Sequence, residues 1–285
     1  MLCGVSTHPA APVVSEGLIA EVRDGVLHLV LNRPERKNSI SPELRDDLLA
    51  NLEWAAIEDD IRCVLLTGSG DAFCAGVDIG RFTATATPAD AAPGRRGPDP
   101  RAARLAIKRG MQRVIRTIWE LDKPVVAAVN GVAAGGGAQL AIACDLVLAA
   151  ESARFIEIFV RRGMALDSGG AYLLARNIGL MRAKELVFFG DPLSAGEAER
   201  IGLVNRTVAD ADLARVAGEW AARLAHGASR AIGASKLMLN RSLDGDIAAA
   251  LEDEASLQAM IALTDDYREG LRAFKDKRDP DFTGR

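Results

Sequence analysis

Aromatic residues are scarce in this chain, at 5% of 285 positions, and there are only three histidines and four cysteines. Few aromatics leave few platforms for stacking bases. With 35 basic and 39 acidic residues, a net charge of −4, no global basic field exists to hold a phosphate backbone. Nucleic acid is therefore not an expected partner. Cys3, Cys63, Cys74 and Cys144 form no C-x-x-C pair and lie mostly in apolar strings, so they read as reduced structural thiols. His8, His28 and His226 are scattered, with no second ligand type at helical spacing, and no metal site is expected. Three motifs are also missing: the phosphate-binding G-x-x-x-x-G-K-[ST], the third spaced glycine of a dinucleotide fingerprint, and the G-x-S-x-G elbow. Nucleotide hydrolysis, nicotinamide redox chemistry and α/β-hydrolase chemistry lose their main support.

What the chain does have is 49% hydrophobic residues and 27 glycines, enough for a large apolar core. From Pro124 to Cys144 no residue carries a formal charge. That length would span a bilayer, but Asn130, Gly131, Gly135, Gly136, Gly137 and Gln139 break it in the middle, where freed backbone groups would need partners inside lipid. A buried core segment is expected, not a membrane span. Met1 to Pro12 shows no basic region followed by an apolar run, so the expected address is the cytoplasm.

Along the chain, residues 1–15 read as a loose leader. Leu18–Val22 and Val26–Leu31 are β-rich runs joined by Asp24-Gly25, a hairpin signal. Ser41-Pro42 supplies an N-cap and a first-turn proline for a helix carrying Leu44, Leu48, Leu52 and Ala55 and ending near Glu58. Cys63–Thr67 and Val125–Val129 read as strands covered on both faces. Residues 83–100, rich in Ala, Thr, Pro, Gly and Arg without periodicity, read as a mobile surface insertion. A helix over Arg101–Leu121, another over Ala138–Cys144 and a strand over Leu146–Ala149 repeat the alternation, which makes the class α/β. Beyond Asp167 helices dominate: Gly170–Ile178, Met181–Phe189, one opened by the capping box at Ser194 and Glu197, and helix throughout 210–275. The expected organisation is a core over 16–207 and a helical C-terminal portion over 208–285.

Two glycine turns are the first candidates for chemistry. Gly76 makes a tight turn that frees the amide of Val77, and Gly135-Gly136-Gly137 leads into a helix N-terminus. If the two turns converge, their amides form an oxyanion hole; close backbone packing at each turn is the alternative.

Asn32-Arg33-Pro34 with Asn38, Phe73-Cys74-Ala75-Gly76-Val77-Asp78, Lys123–Gly131 continuing through the glycine triplet to Cys144-Asp145, and Leu193-Ser194-Ala195 with Gly202-Leu203-Val204 together resemble the crotonase (enoyl-CoA hydratase/isomerase) superfamily over roughly residues 16–280. The resemblance implies a spiral of ββα units with a helical C-terminal trimerisation portion, a homotrimer or dimer of trimers, acyl-CoA substrates, and no cofactor beyond the coenzyme A of the substrate. It places the thioester oxygen on the amides of Val77 and Gly136 and the adenine amine on the carbonyl of Ala75. The loop that carries Arg36 would lie along the coenzyme, with Asp78, Gly135, Gln139 and Phe159 around the acyl group. Lys277, in the basic Phe274–Arg278 segment, would serve the nucleotide phosphates, in some relatives across a subunit boundary.

The departures from the pattern carry the functional reading. Hydratases of the superfamily hold two glutamates where this chain has Gln139 and Phe159, and neither side chain can take a proton from water. Asp167 matches the acid of the aspartate-dependent isomerases, with a helix N-cap as the alternative for that residue. Glu157, two places before Phe159, is the other candidate carboxylate. The resemblance thus implies a one-base enoyl-CoA isomerase. A hydratase with relocated acid and base, and a non-catalytic acyl-CoA binder, are the rivals.

Overall fold

A computed structural model of the chain describes residues 12–78 and 99–285. Most of the leader and nearly all of the 83–100 insertion lie outside the described residues, as do Cys3 and His8. Among the described residues, ten strands form two sheets. The six-stranded sheet runs β1 (Leu18–Arg23), β2 (Val26–Leu31), β3 (Cys63–Gly68), β5 (Val125–Val129), β7 (Leu146–Ala150) and β10 (Arg206–Val208) in that spatial order. Only the β1–β2 hairpin is antiparallel there. The second sheet orders β4 (Ala72–Cys74), β6 (Val132–Ala134), β8 (Arg154–Ile156) and β9 (Leu193–Ser194). Each of β3, β5 and β7 hands the chain directly to β4, β6 and β8, and a helix follows each time. This is the expected spiral of ββα units.

The central strands are apolar on both faces because both are covered: all five residues of β5 and the first four of β3 are buried. Helix α1 (Pro42–Ile57) starts where expected, with Ser41 Oγ accepting from the Leu44 amide at 3.2 Å, and it buries Leu44, Leu48, Leu52 and Ala55. The helix expected over 101–121 is two: α2 (Pro100–Arg109) and α3 (Met111–Glu120), broken at Gly110, which leaves helical geometry at ψ −132°. Helix α4 (Gly136–Ile142) begins two residues earlier than the periodicity suggests. Helices α5 (Gly170–Ile178), α6 (Leu180–Phe189) and α7 (Ala195–Arg200) follow.

Residues 210–275 are four helices with breaks, not one continuous run: α8 (Leu213–Ala225), α9 (Ser229–Ser242), α10 (Ile247–Ile261) and α11 (Asp265–Asp276). Helix α8 buries Leu213, Val216, Ala217 and Ala221 and packs on β3, β5 and β7. On α9 the buried ammonium of Lys236 meets Asp145 Oδ2 at 2.8 Å and the carbonyls of Ile118 and Lys123 at 2.9 and 3.1 Å, fastening the helix to the end of β5. Among the described residues, no helix is long and apolar enough to cross a membrane.

Candidate active site

The two glycine turns meet. Gly76 has φ +93°, and a Cβ there would stand 2.7 Å from the Ala134 carbonyl oxygen and 3.3 Å from the Gly136 nitrogen. Only a residue without a side chain allows this conformation and this approach. A Cβ on Gly137 would lie 2.1 Å from the Cys74 carbonyl oxygen, so α4 is seated directly on β4.

Hydrogen bonding fixes which amides stay available. The Ile40 amide donates to the Gly76 carbonyl at 2.8 Å and the Ile40 carbonyl accepts from Asp78 N at 3.0 Å, which turns the Val77 N–H to the opposite side. The Gly136 N–H is in the first turn of α4, where no intrahelical acceptor exists. Among the described residues neither amide has a backbone acceptor. A Cβ built on Gly136 would be 3.8 Å from the Val77 nitrogen and 3.4 Å from its Cγ2, so the two groups are neighbours.

The preceding loop is pinned by one buried side chain. Asn38 Oδ1 accepts from Arg33 N at 2.8 Å, and its Nδ2 donates to the carbonyls of Ser69 and Ala72 at 2.9 and 2.7 Å. Ala75 N then donates to the Lys37 carbonyl. Arg36 ends the short 3₁₀ turn Pro34–Arg36, exposed to solvent. Asp78 pairs with Arg33 at 3.5 Å.

A cavity of about 420 Å³ opens beside these turns. Val77, Asp78, Asp167 and Ser168 line it together with Arg45 and an apolar wall that includes Ile40, Pro42, Ala106, Ile107 and Met111. The structure therefore brings Asp167 to the same cavity as Val77, from 90 positions away in the chain. Asp167 does not cap α5: Gly169 is the N-cap, and it makes no side-chain cap bond. The Asp167 carboxyl points instead to α3, where Oδ1 accepts from Gln112 Nε2 at 2.8 Å.

Gln139 and Glu157 form a second feature, set deeper. Both are buried, and Gln139 Nε2 donates to Glu157 Oε2 at 2.7 Å. Burial pushes the Glu157 carboxyl up to about 7, against the opposing pull of the Gln139 amide. The pair lies against the start of α5, since a Cβ on Gly170 would be 2.8 Å from the Gln139 amide. Phe159 closes the back of the Gly135 turn, its ring 3.8 Å from where a Cβ would be.

Lys277 is elsewhere. It ends α11 in a left-handed conformation, exposed. The tail beyond it is tied by Asp266 to the amides of Thr283 and Gly284, and Arg62 donates to the Phe282 carbonyl at the entry to β3. Lys277 does not line the cavity that Val77 and Asp167 share.

Cysteine chemistry has no place here. Burial pushes the thiols of Cys63 and Cys74 up to about 12 and that of Cys144 up as well, which keeps all three protonated. Among the described residues, no group of His, Cys, Asp and Glu has the geometry to hold a metal ion. Sequence reasoning missed Gln112, Arg45 and Met111. Gln112 sits just after the break at Gly110, and nothing in the local pattern marks which long-range partner it meets.

The family model for enoyl-CoA hydratase/isomerase matches residues 21–285. The chain is 38% identical to 1,2-epoxyphenylacetyl-CoA isomerase of Escherichia coli K12, with 95% of this chain and 99% of that protein covered. It is 32% identical to 2,3-dehydroadipyl-CoA hydratase of the same organism, over 94% of this chain and 99% of that one. The crystal structure of an enoyl-CoA hydratase/isomerase from Cupriavidus metallidurans CH34 superposes with a TM-score of 0.86 at 34% identity, covering 95% and 98% of the two chains.

Proposed function

This chain belongs to the enoyl-CoA hydratase/isomerase family and has the crotonase fold, and from that membership we propose that it moves a carbon–carbon double bond within an enoyl-CoA by one-base proton transfer. The thioester oxygen accepts from the amides of Val77 and Gly136. The Asp167 carboxylate removes a proton from the carbon at one end of the allylic system, and the electron pair moves onto the thioester oxygen as an enolate. The resulting carboxylic acid returns the proton to the carbon at the other end. No atom is gained or lost, and Asp167 ends as it began. Each amide contributes roughly 3–4 kcal/mol, because it is already aimed at the developing charge.

The observation that carries this reading is the sharing of one cavity by Val77 and Asp167, while position 139 holds an amide in place of an acid. A single carboxylate that recycles its proton suits isomerisation; adding water needs a second group to activate it. One observation favours a second reading: Glu157 is a buried carboxyl held near neutrality, and with Asp167 it would supply the relocated acid and base of a hydratase. Coenzyme A would lie along the Arg36 to Asn38 loop toward Ala75, with Asp78, Gly135, Gln139 and Phe159 shaping the acyl end. Lys277 would serve the nucleotide phosphates, within its own subunit or across a subunit boundary. The exposed Leu180, Met181, Phe188 and Phe189 on α6 offer apolar surface for such an assembly.

The test is product analysis by mass spectrometry in D2O with a panel of 2- and 3-enoyl-CoAs. Double-bond migration with deuterium uptake, lost in Asp167→Asn, supports the isomerase. A 3-hydroxyacyl product lost in Glu157→Gln supports the hydratase. Binding with neither reaction nor deuterium uptake would leave a non-catalytic acyl-CoA binder.

A further inference from the structure

Resting on the isomerase reading, we propose that Gln112 is a positioning residue for Asp167, setting which carboxylate oxygen faces the substrate. Gln112 does not line the cavity itself. Its Nε2 donates to Asp167 Oδ1 at 2.8 Å, and among the described residues this is the one side-chain partner of that carboxylate. A free carboxylate rotates about its χ2 angle, and either oxygen can present either lone pair. A donor fixed to Oδ1 stops that rotation and leaves Oδ2 as the oxygen that carries the proton.

The donor is fixed because its helix is fixed. Helix α3 starts at Met111, after the break at Gly110, and buries Met111, Val114, Ile115 and Ile118. It touches the Asp167 loop a second time one turn later, where Ile115 Cγ2 would be 3.1 Å from a Cβ on Gly169. Between these two contacts Ser168 is held buried in a left-handed conformation at φ +55°, which a serine adopts only under such constraint. The loop that carries the base is thus clamped on both sides of Ser168 by one helix.

The chemistry of the donor also fits the task. A neutral amide orients the carboxylate and stabilises its anion modestly, whereas an arginine or lysine in the same place would hold the anion so firmly that it would be a poor base. Among the described residues, the other charged groups lining the cavity are Arg45 and Asp78, and Glu157 lies behind Gln139. Their contributions are common to every Gln112 variant.

The experiment compares Gln112→Leu, Gln112→Lys and Asp167→Asn in the full-length protein, measuring kcat and KM of double-bond migration on a 3-enoyl-CoA. Thermal unfolding confirms that each variant is folded. Gln112→Leu is expected to lower kcat about ten- to hundredfold with KM nearly unchanged. Gln112→Lys is also expected to lower kcat with KM nearly unchanged, because a firmly paired anion is a poor base. Folded variants whose kcat matches the parent, while Asp167→Asn is inactive, overturn the positioning role and leave the isomerase reading standing. A fall in kcat accompanied by a matching rise in KM and a lower melting temperature means a merely structural contact and also overturns it. Undiminished migration in Asp167→Asn removes the isomerase reading, and this inference with it.

Discussion

Gln139 and Glu157, 18 positions apart, are joined by a side-chain hydrogen bond of 2.7 Å inside the protein, and among the described residues the Gln139 side-chain oxygen Oε1 has no partner. The carboxyl is raised from an ordinary 4.5 to about 7. Folding therefore takes up a proton between those pH values, and the stability this contributes is complete below about 4.5 and lost as pH rises through about 7. The ionised form costs about 3 kcal/mol by the usual conversion. Urea denaturation of Glu157→Gln should show a shallower fall in stability between pH 5 and pH 8 than the parent, and a variant more stable than the parent at pH 8. An unchanged pH dependence would contradict this account.

Gly76→Ala tests the convergence of the two turns. The new methyl would meet the Ala134 carbonyl at 2.7 Å in a conformation at φ +93° that alanine avoids. Moving either strand end displaces the Val77 and Gly136 amides from the thioester oxygen they are proposed to share. Activity should fall at least about 100-fold, in line with loss of an oxyanion donor. Gly218→Ala on α8 is the control: a Cβ there meets nothing within 4 Å, so thermal unfolding should show a gain of about 0.5–1 kcal/mol.

Asn38→Ala removes one side chain that ties three backbone groups, leaving Arg33 N and the Ser69 carbonyl to find other partners while the Ala72 carbonyl keeps the Asn130 amide at 3.3 Å. Unpaired buried groups cost about 1–3 kcal/mol each, so chemical denaturation should register a loss of about 3 kcal/mol. If this loop lies along coenzyme A, the KM for acyl-CoA should rise more than kcat falls.

Lys236→Met should be among the most damaging surface-distant substitutions. It leaves Asp145, 21% exposed and otherwise enclosed, with the Val125 amide at 2.7 Å as its remaining donor among the described residues. A loss of about 3–5 kcal/mol is expected for breaking such a pair. The double substitution Lys236→Met with Asp145→Leu should recover much of it, since no lone charge remains.

Local signals in the sequence located β2, β5 and α5 to the residue and the Ser41 cap of α1, because each rests on neighbours in the chain: a turn, a proline, an apolar period. They failed at β4, β6 and β8, which are three residues long and too short to show any period. The Gly110 break was also missed, since the apolar spacing runs across it and only the changed direction of the backbone separates α2 from α3.

The candidate site divides the same way. Sequence alone determined the chemical inventory: a glycine turn before Val77, a glycine triplet at 135–137, glutamine and phenylalanine at positions 139 and 159, and an aspartate at 167. Whether these act together depends on distances between segments far apart in the chain, and those are set by how the sheets stack. The tertiary structure decided that Gly76 backs onto Gly136, that Asp167 turns away from its own helix toward Gln112, and that Glu157 is buried against Gln139. Those three outcomes follow from packing, because a hydrogen-bond partner or a desolvated pocket is supplied by residues that no local pattern in the chain connects.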